Sequence, residues 1–201
     1  MPHASRHDPD MKVRFFAATM LLMLAAVTVR AAEPSIMPPA LGLNESAAKQ
    51  RAELFAALAA ARDEADAREI EDRIWAFWRS FADQEARQLM EESRQAQLHF
   101  DYDEAIRCMR EVVDHAPQFA EGWNQLSYVY FLAGQYDASL GAIDRVLELE
   151  PMHYAALAGK GIILIQQGKE AEAQAPLKRA LAIDPWLKER NLIGKPPEPR
   201  P

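Results

Sequence analysis

Apolar residues in the central part of the chain recur at spacings of three and four, which is typical of amphipathic helices rather than strands. Within residues 121–133, one helical face carries Leu126, Val129, Tyr130 and Ala133. Gly134 follows this stretch and can adopt the positive φ that often ends a helix. A second apolar face begins after Asp137 and stops at Pro151. The pattern therefore predicts two helices joined by a tight turn.

This helix–turn–helix unit recurs along the chain with a period of 34 residues. Prolines mark the period at positions 117, 151 and 185. Residues of similar type keep step with these prolines in four further sets: Leu89, Trp123 and Leu157; Ser93, Ser127 and Gly161; Ala105, Ser139 and Ala173; Met109, Ile143 and Leu177. Each unit can bury only one side, so neighbouring copies must stack to complete a core.

The middle copy is the most regular one. Its characteristic residues are Trp123, Leu126, Ser127, Tyr130, Gly134, Tyr136, Ser139, Ile143, Val146 and Pro151. In type and spacing this set resembles the tetratricopeptide repeat family. The resemblance covers residues 86–185 and implies repeats at 86–119, 120–153 and 154–187, whose first helices line a concave groove. We therefore predict an all-α, helix–turn–helix repeat solenoid of about three repeats.

Two copies depart from the family pattern. The first has Phe100 where glycine is expected, which predicts a different inter-helix turn in which Phe100 is packed. The third carries Pro176 inside its second helix, where a proline costs about 3 kcal/mol. We expect that helix either to kink or to start late, near Ala175.

Residues 47–84 are also predicted to be helical. Their apolar residues form two stripes, and Asp63 is placed to cap the second helix. Counting back two periods brings Phe55 into phase with Trp123. This pair of helices is therefore either a degenerate fourth repeat or a plain N-terminal capping hairpin. Two further segments flank the helical region, a predicted linker at 32–46 and a predicted C-terminal tail at 188–201. A short helix is expected to start at Trp186, and residues 195–201 are expected to be disordered.

The N-terminus has the pattern of a secretory signal peptide. Residues 15–29 carry no charge, Lys12 and Arg14 precede them, and Ala31 is a suitable cleavage point. About 20 apolar residues are needed to span a bilayer, so this run is short for an anchor. We predict a signal peptide at 1–31 and export to the bacterial periplasm. We also expect Met11 to be the true initiator methionine. The alternative is an uncleaved segment that tethers a scaffold to the membrane.

Charge restricts the class of partner. The chain has 23 basic and 30 acidic residues, of which residues 1–31 contain four and two, so the remainder has a net charge of −9. Such a surface repels phosphate backbones and anionic lipids. We expect no nucleic-acid binding, and no membrane contact after signal cleavage.

The sequence offers little for catalysis. A single cysteine, Cys108, excludes an intramolecular disulfide framework. The histidines that follow the signal segment lack metal-ligand spacing, and no glycine-rich loop follows a strand. We expect neither an enzyme nor a cofactor or metal site. The alternative from another class is a redox accessory protein that uses Cys108, although a buried and inert thiol fits its position better.

The family resemblance implies that an extended peptide or partner protein binds along the first helices. The corresponding residues are Arg87, Met90, Arg94, Gln97 and Leu98; Glu121, Asn124, Tyr128, Phe131 and Leu132; and Ala155, Ala158, Ile162, Ile165 and Gln166. Tyr128 and Phe131 are the expected anchors, since buried aromatic residues dominate many interfaces. The alternative is that four of these residues lie under the N-terminal helices or pack between repeats, namely Phe131, Leu132, Ile162 and Ile165. Of the positions that clamp a carboxylate in chaperone-binding members, only Arg94 is suitable here, so we do not expect that specialised function.

Overall fold

The computed structural model describes residues 42–193, which form eight α-helices, one short 3₁₀ helix and no strand. The helices are α1 Glu45–Ala59, α2 Glu64–Arg79, α3 Gln84–Leu98, α4 Tyr102–His115, α5 Ala120–Leu132, α6 Tyr136–Leu149, α7 Tyr154–Gln166 and α8 Glu170–Ile183, followed by the 3₁₀ helix Lys188–Leu192. Within the described range, no helix is long and apolar enough to cross a membrane. The predicted signal peptide lies outside the described residues, as do most of the predicted linker and tail.

Helices α3 to α8 form the predicted stack of three helical pairs. Each first helix packs on its second helix, and each pair packs on the next. The small residues of the repeat lie where paired helices approach closely. The Ser93 hydroxyl donates to the Ala105 carbonyl at 3.0 Å, and the Ser139 hydroxyl donates to the Ser127 carbonyl at 2.6 Å. These bonds satisfy buried hydroxyls and tie the two helices of one repeat together.

The turn of the first repeat does not differ from the others, so that prediction is wrong. Phe100 adopts a φ of 59°, close to the 72° of Gly134 and Gly168 at the equivalent turns. The Asp101 amide donates to the Ala96 carbonyl at 3.0 Å, a bond that the other two turns also make. The Phe100 side chain is 78% exposed rather than packed. The close packing of α3 on α4 therefore imposes a left-handed conformation that only glycine adopts readily.

The third repeat accommodates its internal proline without a late helix start, so that alternative is wrong. Helix α8 begins at Glu170, six residues before Pro176. The Pro176 ring is buried in the helical interface, where its apolar surface offsets part of the cost of the missing amide donor. A kink at this position stays a prediction.

The N-terminal hairpin, α1 and α2, does not continue the stack as a fourth repeat. Helix α2 contacts α5, and α1 contacts α8, whereas α2 and α3 do not pack side by side. The core of the hairpin includes Trp78 and extends to Tyr154, Ile183 and Trp186 at the far end of the solenoid. As predicted, the Asp63 carboxylate caps α2 by accepting from the amides of the first turn at 3.0 and 2.8 Å. The hairpin thus lies across the face formed by α3, α5 and α7.

Candidate peptide-binding groove

A groove runs between α2 on one side and the first helices α3, α5 and α7 on the other. Two cavities form its first part, and they meet at Gln125. We call one the arginine subsite, which is lined by Arg79, Ala82, Arg87, Met90, Glu91, Arg94, Gln97, Met109 and Gln125. We call the other the aromatic subsite, which is lined by Trp75, Asn124, Tyr128, Phe131, Gly159 and Ile162. Helix α2 supplies Arg79 to the first subsite and Trp75 to the second.

The arginine subsite concentrates positive charge on an otherwise acidic protein. Its volume is about 550 Å³. The Arg87 guanidinium donates to the Ala82 carbonyl at 2.5 Å, and Arg94 donates to Glu91 at 2.8 and 2.6 Å. This pairing lowers the pKa of Glu91 to about 2. Within residues 42–193, no carboxylate forms an ion pair with Arg79 or Arg87, which leaves both guanidiniums available to an incoming anion.

The aromatic subsite offers an exposed ring beside an apolar wall. Its volume is about 380 Å³. The Tyr128 side chain is 51% exposed, a large exposure for a residue in the middle of a packed helix. Phe131 packs on the Tyr136 ring with 5.9 Å between centroids, and Phe131 and Ile162 are both half-buried. Tyr128 is therefore the ring most available to a partner, with Phe131 and Ile162 as a fixed apolar floor.

Most of the predicted groove residues lie in these two subsites. Four of them line the arginine subsite, namely Arg87, Met90, Arg94 and Gln97. The aromatic subsite contains five: Asn124, Tyr128, Phe131, Ala155 and Ile162. Of the remainder, Leu98 and Gln166 are exposed at the ends of α3 and α7, outside both cavities. Ile165 packs against the core between α7 and α8, and Ala158 is buried in that interface.

Glu121 requires a correction, because it does not face the groove. Its side chain is only 1% exposed. The carboxylate accepts from Asn124 at 3.0 Å and from Gln125 at 2.6 Å, and it faces His153 Nε2 at 3.4 Å. His153 Nδ1 accepts from the Ala156 amide at 3.2 Å, so its Nε2 carries the proton and donates to Glu121. Glu121 therefore positions the two amide side chains at the groove instead of touching a partner.

The residues that sequence reasoning missed come mainly from α2. Trp75 and Arg79 line the groove because the hairpin crosses it. Trp78 fixes this crossing by stacking on the His153 ring, with 3.9 Å between centroids and 8° between planes. The breadth of the aromatic stripe in α2 was a usable signal, since packing on α1 alone would require a narrower face.

The thiol of Cys108 is not arranged for chemistry. The residue is fully buried in α4, and burial raises the pKa of its thiol. A reactive cysteine needs the opposite conditions, namely exposure and a lowered pKa. In the described part of the chain, His, Cys, Asp and Glu side chains form no group of three or more that could hold a metal ion.

Comparisons with known proteins agree with this architecture. The family model described as tetratricopeptide repeat matches the chain over residues 100–145 and 129–185. A TPR repeat-containing protein of Rhizobium etli is 27% identical over 180 residues, and the alignment covers 86% of this chain and 88% of the relative.

Two solved structures share the fold. The first TPR domain of Spaghetti (RPAP3), bound to the HSP90 peptide SRMEEVD, has a TM-score of 0.51 and 22% identity and covers 54% of this chain and 86% of its own. The TPR2B domain of yeast Sti1, in a complex with pHsp70, has a TM-score of 0.50 and 17% identity and covers 54% of this chain and 87% of its own. The repeat period, the matched residues and the shared fold together show that α3 to α8 form a solenoid of tetratricopeptide-type repeats.

Proposed function

We propose that this chain is a non-catalytic protein-interaction module that holds an extended segment of a partner protein in the groove between α2 and the first helices. The observation that carries the proposal is the continuity of the two subsites, which places an exposed tyrosine next to unpaired arginines. The solved structures of similar fold, one bound to an HSP90 peptide and one in a complex with pHsp70, support a peptide or protein as the ligand.

The chemistry of the subsites defines the partner segment further. Guanidinium groups bind carboxylates through paired N–H donors, so the part of the segment over Arg79 and Arg87 is expected to be acidic. The part over Tyr128 is expected to be apolar, because its surroundings are Phe131 and Ile162. Attraction to the arginines should weaken as salt is added, since these side chains are exposed to solvent.

Partner capture tests the groove directly. Tyr128→Ala and Arg87→Ala are each expected to reduce capture of the partner from envelope extract about tenfold, because both remove contacts to the segment without removing core packing. The matched control is Phe100→Ala, which deletes an aromatic ring that is more exposed than Tyr128 and lies outside the groove. Quantitative pull-down with each purified variant is the measurement, after circular dichroism has shown that helical content is retained. Equal capture by Tyr128→Ala and Phe100→Ala would exclude the groove as the binding site.

We also propose that the module acts in the cell envelope after removal of residues 1–31. The support is the uncharged run at 15–29 behind Lys12 and Arg14. The exported protein is expected to begin at Ala32, which N-terminal sequencing of the periplasmic fraction would check. A membrane-bound product that retains residues 15–29 would instead favour the tethered scaffold.

A further inference from the structure

A third cavity continues the groove beyond the aromatic subsite, towards the 3₁₀ helix. It shares Trp75 and Ile162 with the aromatic subsite and has a volume of about 300 Å³. We call it the terminal pocket; the lining residues that matter here are Glu71, Trp75, Tyr154, Ile162, Trp186 and Leu187. Three aromatic residues, from α2, α7 and the segment after α8, therefore lie around Glu71. Four further charged residues line the pocket: Glu64, Arg68, Lys188 and Glu189.

A pair of carboxyl groups without a cation lies at this pocket. Glu71 of α2 is a neighbour of the carboxyl group of Asp184, which follows α8 and is fully buried. Asp184 accepts from the Trp186 amide at 3.0 Å through one oxygen, whereas its other oxygen has no hydrogen-bond partner among the described residues. Within residues 42–193, no Lys or Arg side chain forms an ion pair with Glu71 or Asp184. The nearby arginines, Arg68 and Arg190, are paired with Glu64 instead.

The pocket also contains a hydroxyl without a partner. Tyr154 is 1% exposed and lines the pocket, and its hydroxyl forms no hydrogen bond within the described part of the chain. Buried polar atoms are normally hydrogen-bonded, because an unpaired one loses its hydration without compensation. Two such atoms lie beside an un-neutralised carboxyl pair, so the pocket has unsatisfied acceptors. Arg68 and Lys188 also line the pocket, but within residues 42–193 neither forms an ion pair with Glu71 or Asp184.

We propose that the terminal pocket receives a primary ammonium group, carried by a lysine side chain of the partner segment. An ammonium has three N–H donors, which would bind the Glu71 carboxylate and the Tyr154 hydroxyl oxygen in the lining, while the buried Asp184 carboxyl beside Glu71 adds negative charge. The Trp75 and Trp186 rings would add cation–π attraction, and Ile162 would pack on the alkyl stem. A metal ion fits less well, since no third carboxylate, histidine or cysteine of residues 42–193 completes a site.

The inference rests on the proposed function and adds the direction in which the partner segment lies in the groove. The arginine subsite lies beside α3 and the terminal pocket lies beside the 3₁₀ helix, with the aromatic subsite between them. A segment with an acidic end, an apolar middle and a lysine at the other end complements this order of charges. A segment bound in the reverse direction would place like charges together at both ends.

Binding of an ammonium group in the terminal pocket is expected to depend on pH, because Glu71 can be protonated. Burial and the neighbouring Asp184 raise the pKa of Glu71 to about 7, so one proton is shared by the pair under mildly acidic conditions. An ammonium must displace that proton, and its binding is therefore expected to strengthen from pH 6 to pH 8. The charged and titratable groups around the pair are Arg68 and Asp72 of α2, Tyr154 of α7, and Lys188, Glu189 and Arg190 of the 3₁₀ helix.

A titration with a small amine tests the pocket without a known partner. The probe is n-pentylammonium, the control ligand is n-pentanol, and the readout is the NMR signals of the Trp75 and Trp186 indole N–H groups in the full chain. Saturable shifts are expected with the amine and not with the alcohol. Glu71→Gln should weaken amine binding at least tenfold, whereas the matched variant Glu69→Gln, on an exposed position of the same helix, should leave it unchanged. The wild-type titration at pH 6 and pH 8 provides a test that needs no variant.

Three results would overturn the inference. The first is equal response to amine and alcohol, and the second is equal affinity of Glu71→Gln and Glu69→Gln. The third is amine binding that occurs only in a Lys188→Gln variant, which would assign the pocket to the lysine that already lines it. The capture experiment with Tyr128→Ala does not involve Glu71, so its success beside a failed amine titration would reject this inference and leave the proposed function intact.

Discussion

Arg51→Met is expected to lower the free energy of unfolding by about 3–5 kcal/mol, because it leaves the Glu150 carboxylate buried without its counter-charge. The Arg51 and Glu150 side chains are only 4% and 3% exposed. The Arg51 guanidinium donates through Nε to Glu150 at 2.6 Å and through Nη2 to the second oxygen, and it also lies 5.3 Å from the centre of the Phe55 ring. Equilibrium denaturation in urea, followed by circular dichroism, would measure the loss.

Two variants separate the buried charge from the general effect of removing an arginine. The double variant Arg51→Met, Glu150→Leu should recover most of the loss, since it removes both charges and fills the space with apolar atoms. Recovery will be incomplete because Glu150 also accepts from the Met152 amide at 3.0 Å. Arg62→Met breaks an exposed pair with Asp66 and should lower the free energy of unfolding far less, because solvent screens that pair. Equal losses of unfolding free energy in Arg51→Met and Arg62→Met would show that the buried pair contributes no more to stability than the exposed pair.

This ion pair also determines the shape of the groove. It joins α1 to the residue that ends α6, across 99 positions of sequence. The stacked Trp78 and His153 rings make a second attachment between the hairpin and the start of α7. Loss of the Arg51 attachment should therefore loosen the α2 wall, which supplies Trp75 to the aromatic subsite. Stability and partner binding are expected to fall together in Arg51→Met, in contrast to Tyr128→Ala.

Gly161→Ala should be the second most harmful change, with a loss of about 1–3 kcal/mol from overpacking. A Cβ atom at Gly161 would lie 2.4 Å from Leu177 Cγ and 2.7 Å from its Cδ2, which is far closer than van der Waals contact. Leu177 is fully buried between α7 and α8, so it has no free space into which to move. The two helices of the third repeat would be forced apart, which urea denaturation would detect as a lower midpoint.

The matched control is the same substitution in the preceding repeat. Gly141 also lies inside a helix, α6, but a Cβ atom there would have nothing within 4 Å. Gly141→Ala is therefore expected to stabilise the protein by about 0.5–1 kcal/mol, because alanine restricts the unfolded chain and favours the helix. Equal effects of both substitutions would mean that helix propensity, and not the contact with Leu177, controls the result at Gly161.

The parts of the structure that depend on neighbours within about 34 positions could be predicted from the amino-acid sequence. The prolines at 117, 151 and 185 and the small residues at Ser93, Ser127 and Gly161 fixed the helical pairs and their stacking. Such contacts join residues that are close in the chain. Because each repeat makes the same contacts, the same pattern of residues occurs several times in the sequence and can be recognised. The turn at Phe100 was predicted wrongly because packing of the flanking helices outweighs the conformational preference of one residue.

The position of the hairpin, and with it the composition of the groove, could not be predicted from the sequence and depends on the folded chain. Helix α2 brings Trp75 and Arg79 to the groove, pairs Glu71 with Asp184, and leaves Glu121 buried beside His153. Each of these arrangements occurs once and joins residues from distant parts of the chain. Such contacts leave no periodic pattern in the sequence. The pattern of apolar residues in α2 is as compatible with a helix that caps the end of the stack as with one that crosses the groove. The position of α2 is selected instead by the burial of its aromatic face and by the complementary Arg51 and Glu150 charges, which lie 99 positions apart in the sequence.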